Sequence, residues 1–534
     1  MRPGWLLAAL LVAAPAPVVA AGHGTTTAAA PPAGAAPGDG IDAGALYRRH
    51  CAGCHGSERL GAMGPALLPE NLGRLRPEQA TEVILHGRAA TQMPAFADRL
   101  DRAEAEALAR YIYRPPATPP AWGMAEIRAS HLVREGAGRG DARPVHDADP
   151  LNLFVVVELG DHHVTILDGD RLEPIRRVPT RFALHGGPKF SPDGRYVTFA
   201  SRDGWISRFD LYTLEYTHEV RAGINTRNLA ISGDGRYVMV ANYLPHTLVL
   251  LDARDLTPIR VIPVADDRGH GSRVSAVYAA PPRQSFICAL KDIPQVWEVY
   301  YADEPPPVHR GLVHDYRLGE GLAETGPFPI RVIRLAEHLD DFFFDQSYRH
   351  LVGAARDGTG ARVINLDVGR EVARLDLEGF PHLGSGISFD HQGHRVMATP
   401  NLRRPEVAVI DMSEWKVIRR IPTLGPGFFL RSHERSRYAW VDVFFGRNRD
   451  AEHVIDKQSL EIVKTLRPAP GKTAAHVEFD RYGRYALLSI WDTDGAVVVY
   501  DAATLKEIKR LPMNKPSGKY NVYNKIHRSE GTSH

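Results

Sequence analysis

One pattern recurs over the last two thirds of this chain and limits its fold more than any other feature. FSPDGRYV (190–197), ISGDGRYV (231–238), FDHQGHRV (389–396) and FDRYGRYA (479–486) share an apolar residue, a tight polar turn and a restarting strand. FDQSYRHL (344–351), RSHERSRYAW (431–440) and PPRQSFICAL (281–290) are weaker copies. Their turn residues are Gly194, Gly235, Gln284, Tyr348, Gly393, Ser436 and Gly483, spaced 41 to 49 apart except for one gap of 64. That long gap holds a Pro-rich insertion around 305–321. A period of roughly 40–50 residues is that of one four-stranded propeller blade. A second echo, DGDRLEPIRRV, DARDLTPIRVI, DMSEWKVIRRI, DKQSLEIVKTL and DAATLKEIKRL, supports the count. With a first blade starting near Leu151, residues 151–534 are expected to form an all-β, eight-bladed propeller, a closed ring that leaves little sheet edge exposed.

The front of the chain obeys a different period. From 41 to about 115 it reads as a small all-α unit, with helices over Ala43 to His50, Pro77 to Gly87 and a third opened by an Asp101–Glu104 capping box. Into the first helix runs Cys51-Ala52-Gly53-Cys54-His55. Two thiols at this spacing with an imidazole directly after the second are the attachment signature of c-type haem, with His55 as the axial ligand. A redox thiol pair has no use for the histidine and usually accompanies a βαβ pattern, which is missing. Met93, in a loop before the last helix, is the expected second ligand, because a thioether raises the iron's potential and suits it to accept electrons. Met63 is the alternative, and a methionine packing the core is the plainer reading of either. The unit is therefore expected to be a cytochrome c domain with one covalent haem c, an electron-transfer module.

Residues 1–21 read as a secretory signal, with Arg2, an apolar stretch over Trp5 to Ala14 and the small residues Val19-Ala20-Ala21. Residues 22–40 are a flexible Ala/Gly/Pro/Thr tether, and 116–150 a second linker with one helical turn. The apolar stretch is too short to span a bilayer, so no membrane span is expected and the chain is placed in the periplasm. A formal charge of +2 over 534 residues carries no basic field for nucleic acid. Of three cysteines only Cys288 is left over, in an apolar run that suits a buried thiol.

A propeller alone is a platform for binding. The side chains just before each repeated turn gather at one end of the central channel, and they include His185, Arg227, Asp340, His382 and His476. Singly, each histidine is more often a satisfied structural residue. Three from different blades beside a haem domain point to axial ligation and proton transfer for a second metallated macrocycle.

A short cytochrome c joined to such a propeller, with PHLGSG (381–386) and GKYNVYN (518–524), resembles the cytochrome cd1 nitrite reductase family over nearly everything after residue 41. The resemblance implies that the propeller holds haem d1, with His185 in RFALHGG as proximal ligand. It implies Arg202, Arg227, Tyr243, Lys291, Trp491 and Asn521 around the macrocycle and its carboxylates, where guanidinium forks suit a multiply carboxylated ring. Of the two distal histidines of the reductases, one matches His382 and the other falls on Asp340, whose charge would repel nitrite. His476 stands where the reductases carry no histidine. That pattern is similar to the branch of the family that dehydrogenates dihydro-haem d1. The expected activity is oxidation of one propionate of dihydro-haem d1 to the acrylate of haem d1, the last step of haem d1 biosynthesis for denitrification. On that expectation His185 and His382 are iron ligands or near-ligands, with His382 also catalytic. His476 is the leading candidate base. Electrons would drain to the haem at Cys51, Cys54 and His55, and the expected partners are an electron acceptor and, transiently, a cytochrome cd1 nitrite reductase. The alternatives are a true nitrite reductase and a non-catalytic haem d1 carrier or electron shuttle.

Overall fold

A computed structural model describes residues 41–62, 64–73, 75–87, 93–139, 143–309 and 326–528. The signal and tether readings, Met63, most of the insertion and the last residues of the tail lie outside the described residues.

Each repeated turn joins the first and second strands of a blade. Gly194 lies between Lys189–Phe190 and Tyr196–Ala200, and Gly483 between Ala474–Phe479 and Tyr485–Ile490. Gln284 and Tyr348 take the place of glycine in the same left-handed region, at φ 49° and 56°. The second echo is the turn between third and fourth strands. Its aspartate accepts from main-chain N–H groups two or three residues on, as Asp168 does from Asp170 and Arg171 and Asp501 from Ala503 and Thr504. The leucine four residues after that aspartate, such as Leu172, Leu256 or Leu460, then turns left-handed at φ 56–61°.

Eight sheets result, each with four strands around the ring, and the fold is an eight-bladed β-propeller preceded by a small helical cytochrome c domain. Seven blades are built from consecutive strands. Blade 1 takes Leu153–Glu158, His163–Asp168 and Glu173–Pro179 from its start and Pro516–Asn521 from the chain's other end as its innermost strand. Its closing register pairs Phe154 with Asn521, Val155 with Tyr520 and Val156 with Lys519. No hairpin joins those two strands, which is why blade 1 carries no repeated turn. Outer strands place a Lys or Arg beside an exposed apolar residue, Arg419 beside Ile418 and Lys509 beside Ile508, and such charges discourage edge-to-edge pairing.

The helical unit comprises Ala43–His50, Ala52–His55, Pro69–Leu72, Pro77–His86 and Arg102–Ile112 around Tyr47, Ile84, Phe96 and Leu108. Asp101 and Glu104 form the expected capping box. The segment read as a linker is more structured than its composition suggests: it carries a helix, Met124–Ala129, and a strand, Leu132–Val133, that adds to the outer edge of blade 2. From blade 2, Arg221 reaches the carbonyls of Leu60 and Gly61 in the loop after His55 and lies 4.6 Å from the Trp122 ring. Ala66 and Leu68 pack on Ile224 and Leu244. Among the described residues, no helix is long and apolar enough to cross a membrane.

One buried imidazole sets an acid limit on this fold. His453 is 2% exposed, accepts the Leu424 N–H at Nε2 and meets Thr465 Oγ1 at Nδ1. Burial, helped by Arg467, pushes it down to about 4. Because the unfolded chain takes up this proton first, the contribution is whole above pH ~6.5 and lost as the pH falls toward ~4, about 3 kcal/mol in all. Denaturant unfolding of wild type and His453→Gln across that window should give a steeper acid loss for wild type; parallel curves would contradict this assignment.

Candidate functional site

The channel of the propeller opens into a cavity of about 550 Å³, within the ~300–1,000 Å³ usual for ligand sites. His185, His382 and His476 all line it, with Arg227 and Trp491.

His185 and His382 are held in the same way. Each precedes the first strand of its blade and donates its main-chain N–H to the end of the second strand, His185 to Ala200 O and His382 to Pro400 O, both at 2.9 Å. Each ring then donates Nδ1–H to a carbonyl in or just before the next blade's first strand. His185 reaches Arg227 O and His382 reaches Phe428 O, both at 2.6 Å. The Arg227 guanidinium also lies 3.3 Å from His185 Nδ1, but the shorter carbonyl contact sets the tautomer. Both rings therefore present an Nε2 lone pair to the cavity, as an iron ligand must. The two stand in blades 2 and 6 of eight, opposite one another in ring order. Burial, with Arg227 adding to it, keeps His382 below the usual histidine range against the pull of Asp341.

His476 differs. It is skipped in the register between Ala475 and Val477 and sits at φ 58°, so a β-bulge turns its side chain out of the ladder. Its Nδ1 accepts the Lys519 N–H at 3.4 Å. Burial first, then Lys519, Arg431 and Lys525, hold it well below the usual range. A neutral ring whose Nδ1 accepts carries its proton on Nε2, so His476 offers the cavity an N–H where the other two offer a lone pair.

The remaining expected residues divide. Tyr243, Lys291 and Asp340 lie beside Arg227 rather than on the cavity wall: Lys291 pairs with Asp340 at 3.4 Å and stands 5.3 Å from the Tyr243 ring. Burial would raise the Tyr243 hydroxyl, but Arg227 and Lys291 outweigh it and lower it. The carboxylate nearest His382 is Asp341, 3.9 Å from Nε2, because a bulge between Leu339 and Phe342 takes both acids off the ladder. Arg202 meets the site through its main chain, its N–H on Ala183 O in the loop that carries His185. Asn521 is fully buried, accepts the Asn524 N–H as cap of the helix Val522–His527 and donates to Asn152.

Several lining residues escaped the sequence reading. Phe428, Phe429 and Phe444 join the expected Trp491 in an aromatic wall with neighbouring ring centres 4.5–6.3 Å apart. The Trp491 Nε1–H is a buried donor with no hydrogen-bond partner among the described residues. Such an orphan on an aromatic wall fits a flat ligand with polar edges. Arg431 adds a second guanidinium, and Tyr520 stands edge-on to His476 at 5.2 Å with its hydroxyl pushed up to about 12 by burial. A Cβ at Gly518 would come within 2.6 Å of the Tyr520 hydroxyl, so glycine there leaves the phenol its room. The doublet GPGFFL and the tyrosine of GKYNVYN were the available signals.

In the helical unit the His55 ring is 8% exposed and donates Nδ1–H to Pro65 O at 2.8 Å, leaving Nε2 for a metal. Cys51 and Met93 pack into the same core, a donor set that fits a covalent haem.

The comparisons agree with this geometry. The cytochrome D1 heme domain family matches residues 148–525, and the family of cytochrome C oxidase, cbb3-type, subunit III matches 40–112. A dihydro-heme d1 dehydrogenase of Pseudomonas aeruginosa is 58% identical over 502 residues, 94% of this chain and 97% of the relative. A nitrite reductase of Stutzerimonas stutzeri is 26% identical, over 90% of this chain and 92% of its own. A solved structure, dihydro-heme d1 dehydrogenase NirN in complex with DHE, superposes with a TM-score of 0.85 at 58% identity, covering 90% of this chain and 99% of that one. With its helical cytochrome module and D1-type propeller, this chain belongs to the dihydro-heme d1 dehydrogenase family.

Proposed function

We propose that this protein oxidises dihydro-haem d1 to haem d1, turning one propionate into an acrylate with loss of two electrons and two protons. The observation that carries the reading is the one cavity in which His185 and His382, from opposite blades, both present Nε2. They are the proposed ligands of the substrate's iron. Arg227 and Arg431 face its carboxylates, and the aromatic wall with the Trp491 N–H takes its plane and edge. Lys291, Tyr243 and Arg202 support that edge from beside Arg227 and from the His185 loop.

The carbon-bound proton leaves toward the wall of His476 and Tyr520. The tautomer fixed by Lys519 gives His476 no lone pair at Nε2, so its part is to hold a substrate carboxylate by its N–H rather than to act as the base. We assign the relay to the Tyr520 hydroxyl, which takes up the carbon-bound proton as it passes its own phenolic proton to solvent at the cavity mouth. Haem c, held by Cys51, Cys54, His55 and Met93, supplies one-electron acceptance, so a two-electron oxidation needs two transfers or an external acceptor. The doublet Asp340–Asp341 beside His382 disfavours nitrite, since a carboxylate repels the anion. We place the reaction in the periplasm, with the product passed on to a cytochrome cd1 nitrite reductase.

Adding dihydro-haem d1 anaerobically with an electron acceptor should convert its spectrum to that of the acrylate product; binding without conversion would leave a carrier. Tyr520→Phe should slow conversion by roughly 10²–10⁴-fold, the usual worth of acid–base catalysis. His476→Phe should slow it by less than about tenfold, and a loss as large as that of Tyr520→Phe would restore His476 as the base. Met93→Ala should lower the haem c potential by on the order of 100 mV, within the ~0.8 V that axial ligands command. An unchanged potential would remove Met93 from the iron.

A further inference from the structure

Behind the cavity, out of reach of any substrate, lie buried ionisable groups that the reaction does not use. Asp442 ends the strand Tyr438–Asp442 and is fully buried. It accepts the Phe428 N–H at 2.7 Å and the Phe429 N–H at 3.1 Å, and it also engages the main-chain N–H of His476. Phe428 passes this on, since its carbonyl is the acceptor that fixes the His382 ring. Lys519, equally buried, comes from the closing strand. Its ammonium donates to His476 O and, at 2.6 Å, to Ser489 Oγ, while its own N–H meets His476 Nδ1. Glu452 faces Asp442 directly across the strand pair, and burial, with Asp442 adding to it, pushes its carboxyl well up. Burial also draws Asp442 up to about 7 and Lys519 down to about 7.

Burying a carboxylate and an ammonium carries a desolvation penalty that apolar side chains of the same size would not incur. What the pair provides is placement. The left-handed His476 is gripped on every main-chain side: its N–H on Asp442, its carbonyl on Lys519. A strained conformation persists only where the surroundings over-determine it.

We propose that Asp442 and Lys519 are positioning residues for the two imidazoles of this wall. Asp442 fixes His382 through the Phe428 carbonyl, and the two together hold the bulge that aims His476. The proposal rests on the reading of this cavity as the dihydro-haem d1 site.

The test uses the full chain with haem c attached. In Asp442→Asn the amide has lost one of the two oxygens that take the Phe428 and Phe429 N–H groups. Hydrogen exchange at Phe428, Phe429 and His476 should quicken before any macrocycle is added. Bound dihydro-haem d1 should then show a high-spin, five-coordinate fraction by EPR and magnetic circular dichroism, with a dissociation constant 10–100-fold weaker, the usual cost of losing a partner that orients a metal ligand. Wild-type exchange, spectrum and affinity in this variant would overturn the proposal. Lys519→Met covers the case in which Asp442→Asn does not fold. It should fold at least as stably as wild type yet bind the macrocycle more weakly and exchange the His476 amide faster; an unchanged affinity and exchange rate would overturn the proposal equally. If wild type binds but never converts the substrate, the functional reading falls while the exchange and spin-state readouts still judge the positioning.

Discussion

The pairing of Pro516–Asn521 with Leu153–Glu158 is the contact on which the remainder of the propeller rests. It joins groups 360 residues apart in sequence, and closing so long a loop costs on the order of 5 kcal/mol in chain entropy. Burying Leu153, Val155 and Val522, which share one core at the seam, offsets that at about 1.5–3 kcal/mol each. The same six residues also build the site. Strand alternation sends Tyr520 to one face and Lys519 and Asn521 to the other. Tyr520 reaches the cavity, Lys519 grips His476 in blade 8 and Asn521 caps the last helix. Ring closure and this cavity wall are therefore one structural event, and the wall cannot form before the two ends of the propeller have met.

Repetition explains how two imidazoles come to face each other. His185 and His382 occupy the same place in blades four apart, with the same main-chain bond to the second strand and the same Nδ1–H to a carbonyl at the next blade. A ring of equal units puts equivalent positions at equivalent height, so a histidine in that place in blade 2 is answered across the channel by one in blade 6. His476 reaches the cavity by a departure from the repeat. Its bulge costs backbone strain, and its tautomer is opposite to that of the other two. The site thus takes two lone pairs from the symmetry of the fold and one N–H from a local break in it.

The blades could be read from the chain because each turn is a local matter: an aspartate that accepts the N–H groups after it, or a residue that tolerates positive φ, writes itself into a few consecutive letters. The cytochrome module was equally legible, since its chemistry fixes the spacing of Cys51, Cys54 and His55. Contacts between blades leave no such trace. Nothing near His476 announces that the Lys519 N–H will meet its Nδ1, so the chain names it as a candidate base without showing which ring nitrogen carries the proton. Asn521 entered only through the family resemblance, and nothing in its neighbours announces that it caps the helix Val522–His527. Arg431 and the phenylalanines were hidden for a related reason, as a channel wall is assembled from residues far apart in sequence.

Electrostatics ties these parts together. A flat ligand with several carboxylates and a central iron makes two demands that conflict: cations for its rim and unprotonated imidazoles for its metal. A protonated histidine would serve the rim and forfeit the metal. In this cavity the first demand helps to meet the second. Burial lowers His382 and Arg227 lowers it further, while burial followed by Lys519, Arg431 and Lys525 does the same to His476. Cations that draw the carboxylates in also drive protons off the rings beside them. Asp341 pulls the other way on the His382 ring, its Oδ2 3.9 Å from Nε2 while the Tyr278 hydroxyl and the Phe342 N–H donate to its Oδ1. Charge and neutrality are thus kept apart within a few ångströms, and the low dielectric that makes each buried charge costly is what sharpens the boundary between them.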